Sequence, residues 1–431
     1  MMNTIILIIN LIVIFLAVGV LWFVYQKDKS KDPYAKNKFA KRIFVFSVII
    51  VVLNASIYII KTKEETNTKK DIARIAAFVG KLSEPTQKEV ESEIDKEFKA
   101  EFKKKKKIAL EKYQKGINAF NGKKYKTAIS HFEGAIGIFA IPSFYIFRGI
   151  GYTFTNQFDK AIADYNKAIE LKPDYAGAYN NRGGVWFKKG DYDNAFSDYD
   201  KAIQLKPDYA EAYSNRGIAW RQKGDYDKAI SDYDKAIQLK PDYAEAYNNR
   251  GIAWQHKSDY EKAIDDFNKA IQLKPDYAGA YNNRGIAWRQ KGDYDKAISD
   301  YDKVIELKPD YTPAYNSRGS TWFIRGDYDK AISDYNKAIE INPRYGSAYN
   351  NRGSVYFKKG QYDNAISDYS KAIEINPKHA DAYYNRGWAY HNKSQYDNAI
   401  SDYNKSIEIN PKDADAYNNR GIAIHHYRKE G

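Results

Sequence analysis

One interval dominates this chain. Pro173, Pro207, Pro241, Pro275, Pro309, Pro343, Pro377 and Pro411 stand 34 residues apart, without drift. The string AYNNRG keeps the same interval, for example at 246–251, 280–285 and 416–421, with close copies AYSNRG at 212–217, AYNSRG at 314–319 and AYYNRG at 382–387. A fixed period of this length means that one small supersecondary unit is written repeatedly. Each unit cannot cover its own apolar face and is completed by its neighbours. This constraint overrides the several independent domains that 431 residues would otherwise suggest.

Aligned on the proline, one unit reads AEAYNNRGIAWQHKSDYEKAIDDFNKAIQLKPDY, residues 244–277. The pattern predicts a first helix from 244 to about 257, with small and aromatic residues on one face. A polar SDY or GDY turn follows. Ala263, Ile264, Phe267, Ala270 and Ile271 then fall at helical spacing and predict a second helix. Lys274-Pro275 ends it, because a residue before proline is pushed out of the helical region.

The unit resembles the tetratricopeptide repeat. Tyr247, Gly251, Trp254, Ala263, Phe267, Ala270 and Pro275 match that family's pattern of large, glycine, aromatic, alanine and proline positions. Eight full units span 142–413 and a terminal capping helix occupies 414–431. A divergent unit at 109–141 keeps Gly116, Tyr125, Ala128, Phe132 and Ala135 but lacks the proline. The resemblance implies an all-α fold, an α-solenoid of antiparallel helix pairs wound into a right-handed superhelix. In that frame Gly251 and Ala263 let paired helices approach, and the aromatic stripe is core.

The chain departs from the family at one column. Where the family usually carries Leu, every unit has Arg: 148, 182, 216, 250, 284, 318, 352, 386 and 420. Sixteen residues on stand Asp164, Asp198, Asp232, Asp266, Asp300, Asp334, Asp368 and Asp402. The divergent unit changes both, to Lys115 and His131. The co-occurrence predicts a ladder (Arg182, Arg216, Arg250 and Arg284 with Asp198, Asp232, Asp266 and Asp300), each Arg facing the Asp of its own or the preceding unit.

By the same resemblance, first helices line a concave groove through their second, fifth, ninth, twelfth and thirteenth positions. The near-copies largely disagree there, through partner recognition or through drift at exposed sites. Ninth positions include Trp388; twelfth positions include Phe187, Arg221, Gln255, Arg289, Phe323, Phe357 and His391. The fifth is mostly Asn, at 180, 248, 282, 316, 350 and 418. Asn carries both donors and acceptors, which suits gripping a peptide backbone. The expected groove is therefore Asn180, Phe187, Arg221, Asn248, Gln255, Asn282, Arg289, Asn316, Phe323, Asn350, Phe357, Trp388 and His391. Full units carry no Lys or Arg at the second, fifth or ninth position, which disfavours the family's terminal-carboxylate clamp.

Ahead of the repeats, residues 4–25 and 43–60 are uncharged apolar runs. The first is long enough to cross a hydrocarbon core of about 30 Å, and the second is nearer the lower limit. A signal peptide would want a basic start and a shorter run, so a retained span is expected. Residues 1–60 thus read as an anchor of two transmembrane helices, and 61–108 as a basic helical connector. The linker QKDKSKDPYAKNKFAKR has seven basic and two acidic residues, against no basic residue ahead of the first span. That bias puts the linker in the cytoplasm of a two-pass protein, expected in a bacterial inner membrane, with the repeats extracytoplasmic. Basic residues after the second span (Lys61, Lys63, Lys69, Lys70 and Arg74) weigh against this orientation. Residues 71–82 suit a helix lying in the headgroup region or a short core helix.

The formal charge of +14 divides unevenly: residues 1–108 hold 21 Lys+Arg against 12 Asp+Glu. No basic–aromatic groove pattern accompanies it, so nucleic acid is not an expected partner. There is no cysteine, hence no disulfide and no thiolate metal site. His391, His425 and His426 could gather in the last units, but no supporting carboxylate shell is evident, and no metal or cofactor is expected. No phosphate-cradling loop, HExxH or GxSxG motif occurs. The expectation is a non-catalytic scaffold that holds a protein or peptide at a membrane. An adhesin or host-interaction factor is the alternative, and an enzyme of unrecognised chemistry a third. The sequence leaves oligomeric state and partner identity open.

Overall fold

The computed structural model describes residues 84–430, and the expected spans at 4–25 and 43–60 lie outside them. Every element among the described residues is an α-helix, nineteen in all. None of these helices is long and apolar enough to cross a membrane. They divide into two compact units, separated between Pro173 and Asp174.

The first described helix of the N-terminal unit is Glu84–Asn121, a continuous helix of 38 residues. The expected connector boundary at 108 therefore falls inside a helix, and the connector runs directly into the divergent repeat. That helix pairs with Tyr125–Ile136, and a second hairpin follows, Pro142–Phe154 with Phe158–Leu171. The core joins Ala109, Ala135 and Phe144, with Tyr113 stacked on Phe144 at 4.9 Å between ring centroids.

In the C-terminal unit the hairpin repeats seven times, from Ala176–Lys189 with Tyr192–Leu205 to Ala380–Asn392 with Tyr396–Ile409, and Ala414–Glu430 follows. In the unit 244–277 the helices are Ala244–His256 and Tyr260–Leu273. Ala263, Ile264, Phe267 and Ala270 are buried and Ile271 is half-buried.

The small residues act through one specific contact. A Cβ built on Gly251 would stand 2.6 Å from Cε1 of the Phe267 ring, and on Gly285 2.7 Å from that of Tyr301. The glycine thus seats an aromatic ring of the second helix, sixteen residues on. Gly116 seats Phe132 in the same way, which fixes the divergent unit in register. Second helices start on Asp191, Asp225, Asp259 and Asp293, whose carboxylates accept the N–H three residues on. This satisfies an N–H that a helix start leaves unpaired. The turn before it needs a left-handed residue: Gly224 and Gly292 take φ +84°, and Ser258 holds the equivalent place at φ 62°.

Candidate functional site

The Arg and Asp columns meet within each unit. Arg250 Nε donates to Asp266 Oδ2 at 2.9 Å and Nη2 to Oδ1 at 2.6 Å. The same two-bond fork joins Arg148–Asp164, Arg182–Asp198, Arg216–Asp232, Arg284–Asp300, Arg318–Asp334, Arg352–Asp368 and Arg386–Asp402. The remaining nitrogen reaches the preceding unit, but to a residue two positions past that unit's ladder Asp. Arg216 Nη1 bonds Asp200 and Arg250 Nη1 bonds Asp234, each at 2.5 Å, and Arg284 Nη1 bonds Asn268 at 2.6 Å. One guanidinium therefore clasps two repeats. Each also lies over the Tyr three residues earlier, Arg250 over Tyr247 at 5.5 Å. That i, i+3 Tyr–Arg spacing was legible in AYNNRG and identifies a cation–π partner.

Burial pushes the carboxyl groups of Asp232, Asp266 and Asp300 above the usual carboxylate range, and the Arg partner pulls each back. The bond to Asp232 in turn raises the Arg216 guanidinium, so the cation is permanent. At the last helix Arg420 bonds only Asn404, and nothing lies within 4 Å of a Cβ on Gly421.

Within the C-terminal unit, successive first helices touch one another, whereas successive second helices make no comparable contact. The layer with the closer helices is the inner side of a bent row. Phe357 and Trp388 show this seam directly: twelfth and ninth positions of adjacent units lie 4.7 Å apart at their ring centroids.

The groove asparagines lie deeper than their expected role requires. Asn180 and Asn248 are only 6% exposed, and each side-chain oxygen accepts a bond from the next unit, from Asn215 and Asn283, at 3.0 Å. Asn316 and Asn350 accept likewise from Asn351 and Asn385. These carboxamides tie unit to unit. Asn282, which has Ser317 opposite instead of Asn, keeps a buried oxygen without a partner.

Most ninth and twelfth positions are half-buried. Phe187, Phe323 and Phe357 pack against their own hairpins' core and keep an edge exposed, and Trp388 is 39% exposed. His391 lies against Tyr396 and His426, and burial followed by His426 lowers its pKa. No group of three or more His, Asp or Glu among the described residues is arranged to hold a metal ion.

A feature that periodicity could not supply runs beneath these side chains. The ring seated on each glycine is usually Tyr, and its hydroxyl points toward the ninth and twelfth positions. Tyr335 and Tyr369 donate to Ser320 and Ser354 at 3.1 and 3.3 Å, and the hydroxyl of Tyr165 lies 3.4 Å from that of Thr153. Where the ninth position is Ile218 or Ile286, the hydroxyls of Tyr233 and Tyr301 are buried without a partner. The twelfth positions there are Arg221 and Arg289.

Family models described as tetratricopeptide repeat match residues 210–243, 244–277, 278–311, 380–413 and 402–430, and a TPR repeat model matches 152–188, 185–220, 319–360 and 353–394. The heat shock protein sti1 homolog of Schizosaccharomyces pombe is 36% identical over 85 residues, 20% of this chain and 14% of that protein. The chain thus spans about a seventh of that relative. Among solved structures, a tetratricopeptide repeat protein from Parabacteroides merdae aligns over 58% of this chain and 98% of its own, at 22% identity and TM-score 0.49. MamA aligns over 38% and 95% (33% identity, TM-score 0.35), and YrrB, described as a TPR protein with an unusual peptide-binding site, over 43% and 95% (27%, 0.35). With its repeats matched across most of the length from 152 to 430, the chain belongs to the tetratricopeptide repeat family.

Proposed function

We propose that the protein is a membrane-anchored, non-catalytic scaffold whose first-helix layer grips an extended segment of a protein partner. Tetratricopeptide arrays are in general interaction scaffolds, and such surfaces bind extended or helical peptides through successive side-chain anchors. The observation that carries the reading is a contrast within each unit. Frame residues repeat and are fully buried, as with Ala253, Ala263 and Ala270 at 0% exposure. The ninth and twelfth positions change from unit to unit and face the inner layer, giving a graded strip of Phe187, Arg221, Gln255, Arg289, Phe323, Phe357, Trp388 and His391. The asparagines beneath hold the units in register, and their second role is to offer remaining amide hydrogens to a bound backbone.

The two apolar runs would place this surface at a bacterial inner membrane, with the repeats outside the cytoplasm. Alkaline phosphatase and green fluorescent protein fused after residue 110 decide the side: phosphatase activity without fluorescence is the expected result. For the groove, photo-crosslinkers at Phe323 and Phe357 in the full-length chain should capture the same partner. Simultaneous Phe187→Ala, Phe323→Ala and Phe357→Ala should abolish capture. Because these rings also pack on core residues, a melting curve must accompany the variant. Equal capture by a folded triple variant overturns the groove reading.

A further inference from the structure

The proposed groove has two polar seats in its middle, and their donor sets name a class of partner. In the unit 210–243, the Arg221 side chain lies beside the Tyr233 hydroxyl, and Arg221 Nε and the Tyr233 hydroxyl are both buried with their own hydrogen-bonding unsatisfied. Two units on, the charge of Arg289 acts on the Tyr301 hydroxyl, which is likewise buried without a partner, and it also reaches Tyr335. Thr321 is the polar side chain close to the Tyr301 hydroxyl. The intervening unit carries neither member of the pair, having Phe267 in place of Tyr and Gln255 in place of Arg.

A buried donor without an acceptor is costly, and a cation beside it sharpens the preference for an anion. Among the described residues neither Arg221 nor Arg289 has an ion-pair partner, although every ladder arginine from Arg148 to Arg386 does. The acids along the groove's edge do not neutralise them. Glu211 and Glu245 bond Lys240 and Lys274 instead, at 3.4 and 3.3 Å. The floor between the seats is Ile218, Ile252 and Ile286, and beyond them lie Phe323, Phe357 and Trp388.

We infer that the partner segment is acidic: two side-chain carboxylates, alternating with apolar residues, occupy the Arg221–Tyr233 and Arg289–Tyr301 seats. This rests on the groove reading above and names the chemistry of its occupant. It differs from terminal-carboxylate capture, because the seats lie mid-array and take internal side chains. A carboxylate supplies an acceptor for Arg221 Nε and for the two tyrosine hydroxyls, and its planar pair of oxygens suits a guanidinium edge.

The test uses the full-length chain in detergent and two fluorescein-labelled peptides of equal length, one alternating Glu and Leu, the other Gln and Leu. Anisotropy should show the acidic peptide binding at least tenfold more tightly, with the advantage shrinking as salt rises. Arg221→Gln with Arg289→Gln should weaken the acidic peptide about tenfold per arginine and leave the Gln peptide unchanged. Tyr233→Phe with Tyr301→Phe, a change the fold already accepts at Phe267, should weaken only the acidic peptide. Arg325→Gln, which removes a charge elsewhere, should change neither. Equal affinity for both peptides, or a preference surviving the double arginine variant, overturns the inference. If both peptides bind equally and Phe323→Ala weakens both, the acidic partner falls while the groove stands. Displacement by inorganic phosphate at concentrations where acetate fails would assign the seats to phosphate and likewise overturn it.

Discussion

Asp266→Ala is the sharpest test of how the array is held together. Asp266 is 5% exposed and accepts bonds of 2.9 and 2.6 Å from Arg250, whose side chain is 21% exposed. Removing one member of a buried ion pair typically costs about 3–5 kcal/mol, because the other charge is left desolvated. Arg250 would retain its bond to Asp234 and its place over Tyr247, which puts the expected loss near the lower end, about 3 kcal/mol. Arg250→Leu alone should cost a similar amount, by stranding Asp266. The double variant Arg250→Leu/Asp266→Ala removes both charges and should lie within about 1 kcal/mol of the parent. A coupling of several kcal/mol follows. Hydrogen exchange of the helices Ala244–His256 and Tyr260–Leu273 is the suitable assay, since repeat arrays open locally and a global midpoint averages over units. If the single losses simply add in the double variant, the pair is not an interacting unit and the reasoning fails.

Gly251→Ala should destabilise by about 1–3 kcal/mol, since its Cβ would meet the fully buried Phe267 ring at 2.6 Å; Gly421→Ala, with nothing within 4 Å, should be neutral or stabilising by denaturant titration. Ser258→Gly should raise the melting temperature by relieving a left-handed residue, a gain of about 1 kcal/mol, whereas Gly224→Ala, at φ +84°, should lower it. His391 has its pKa lowered by burial and then by His426, so folding favours its neutral form. Its contribution is full above the unfolded value of about 6.5 and is lost as pH falls through the folded one. The loss of stability on acidification below neutral pH should therefore diminish in His391→Asn, measured by melts at successively lower pH.

The hairpins were readable before any coordinates because each boundary is written in local chemistry. Lys274-Pro275 stops a helix wherever it stands, and Asp259 caps the start of that same helix through a neighbour three residues away. Ala263, Phe267 and Ala270 fall on one face by spacing alone. The partner side chains were harder. Arg250 and Asp266 are sixteen residues apart, and only the closed hairpin shows that the fork goes to the unit's own Asp while the third nitrogen crosses to Asp234. The asparagines of the expected groove follow the same rule. Composition shows that Asn180 can bond a backbone, but its oxygen already serves Asn215, a contact that exists only once two units have stacked.

The period, the paired helices and the repeated Arg and Asp columns are properties of the sequence, because helix formation, capping and proline termination act over a few residues. Packing alone could decide that Gly251 is a seat for an aromatic ring, and that first helices lie against one another. It also decided that the Tyr233 and Tyr301 hydroxyls end beside Arg221 and Arg289 without an acceptor. Those relations join residues from different helices, and their distances are set by how the hairpins close and stack.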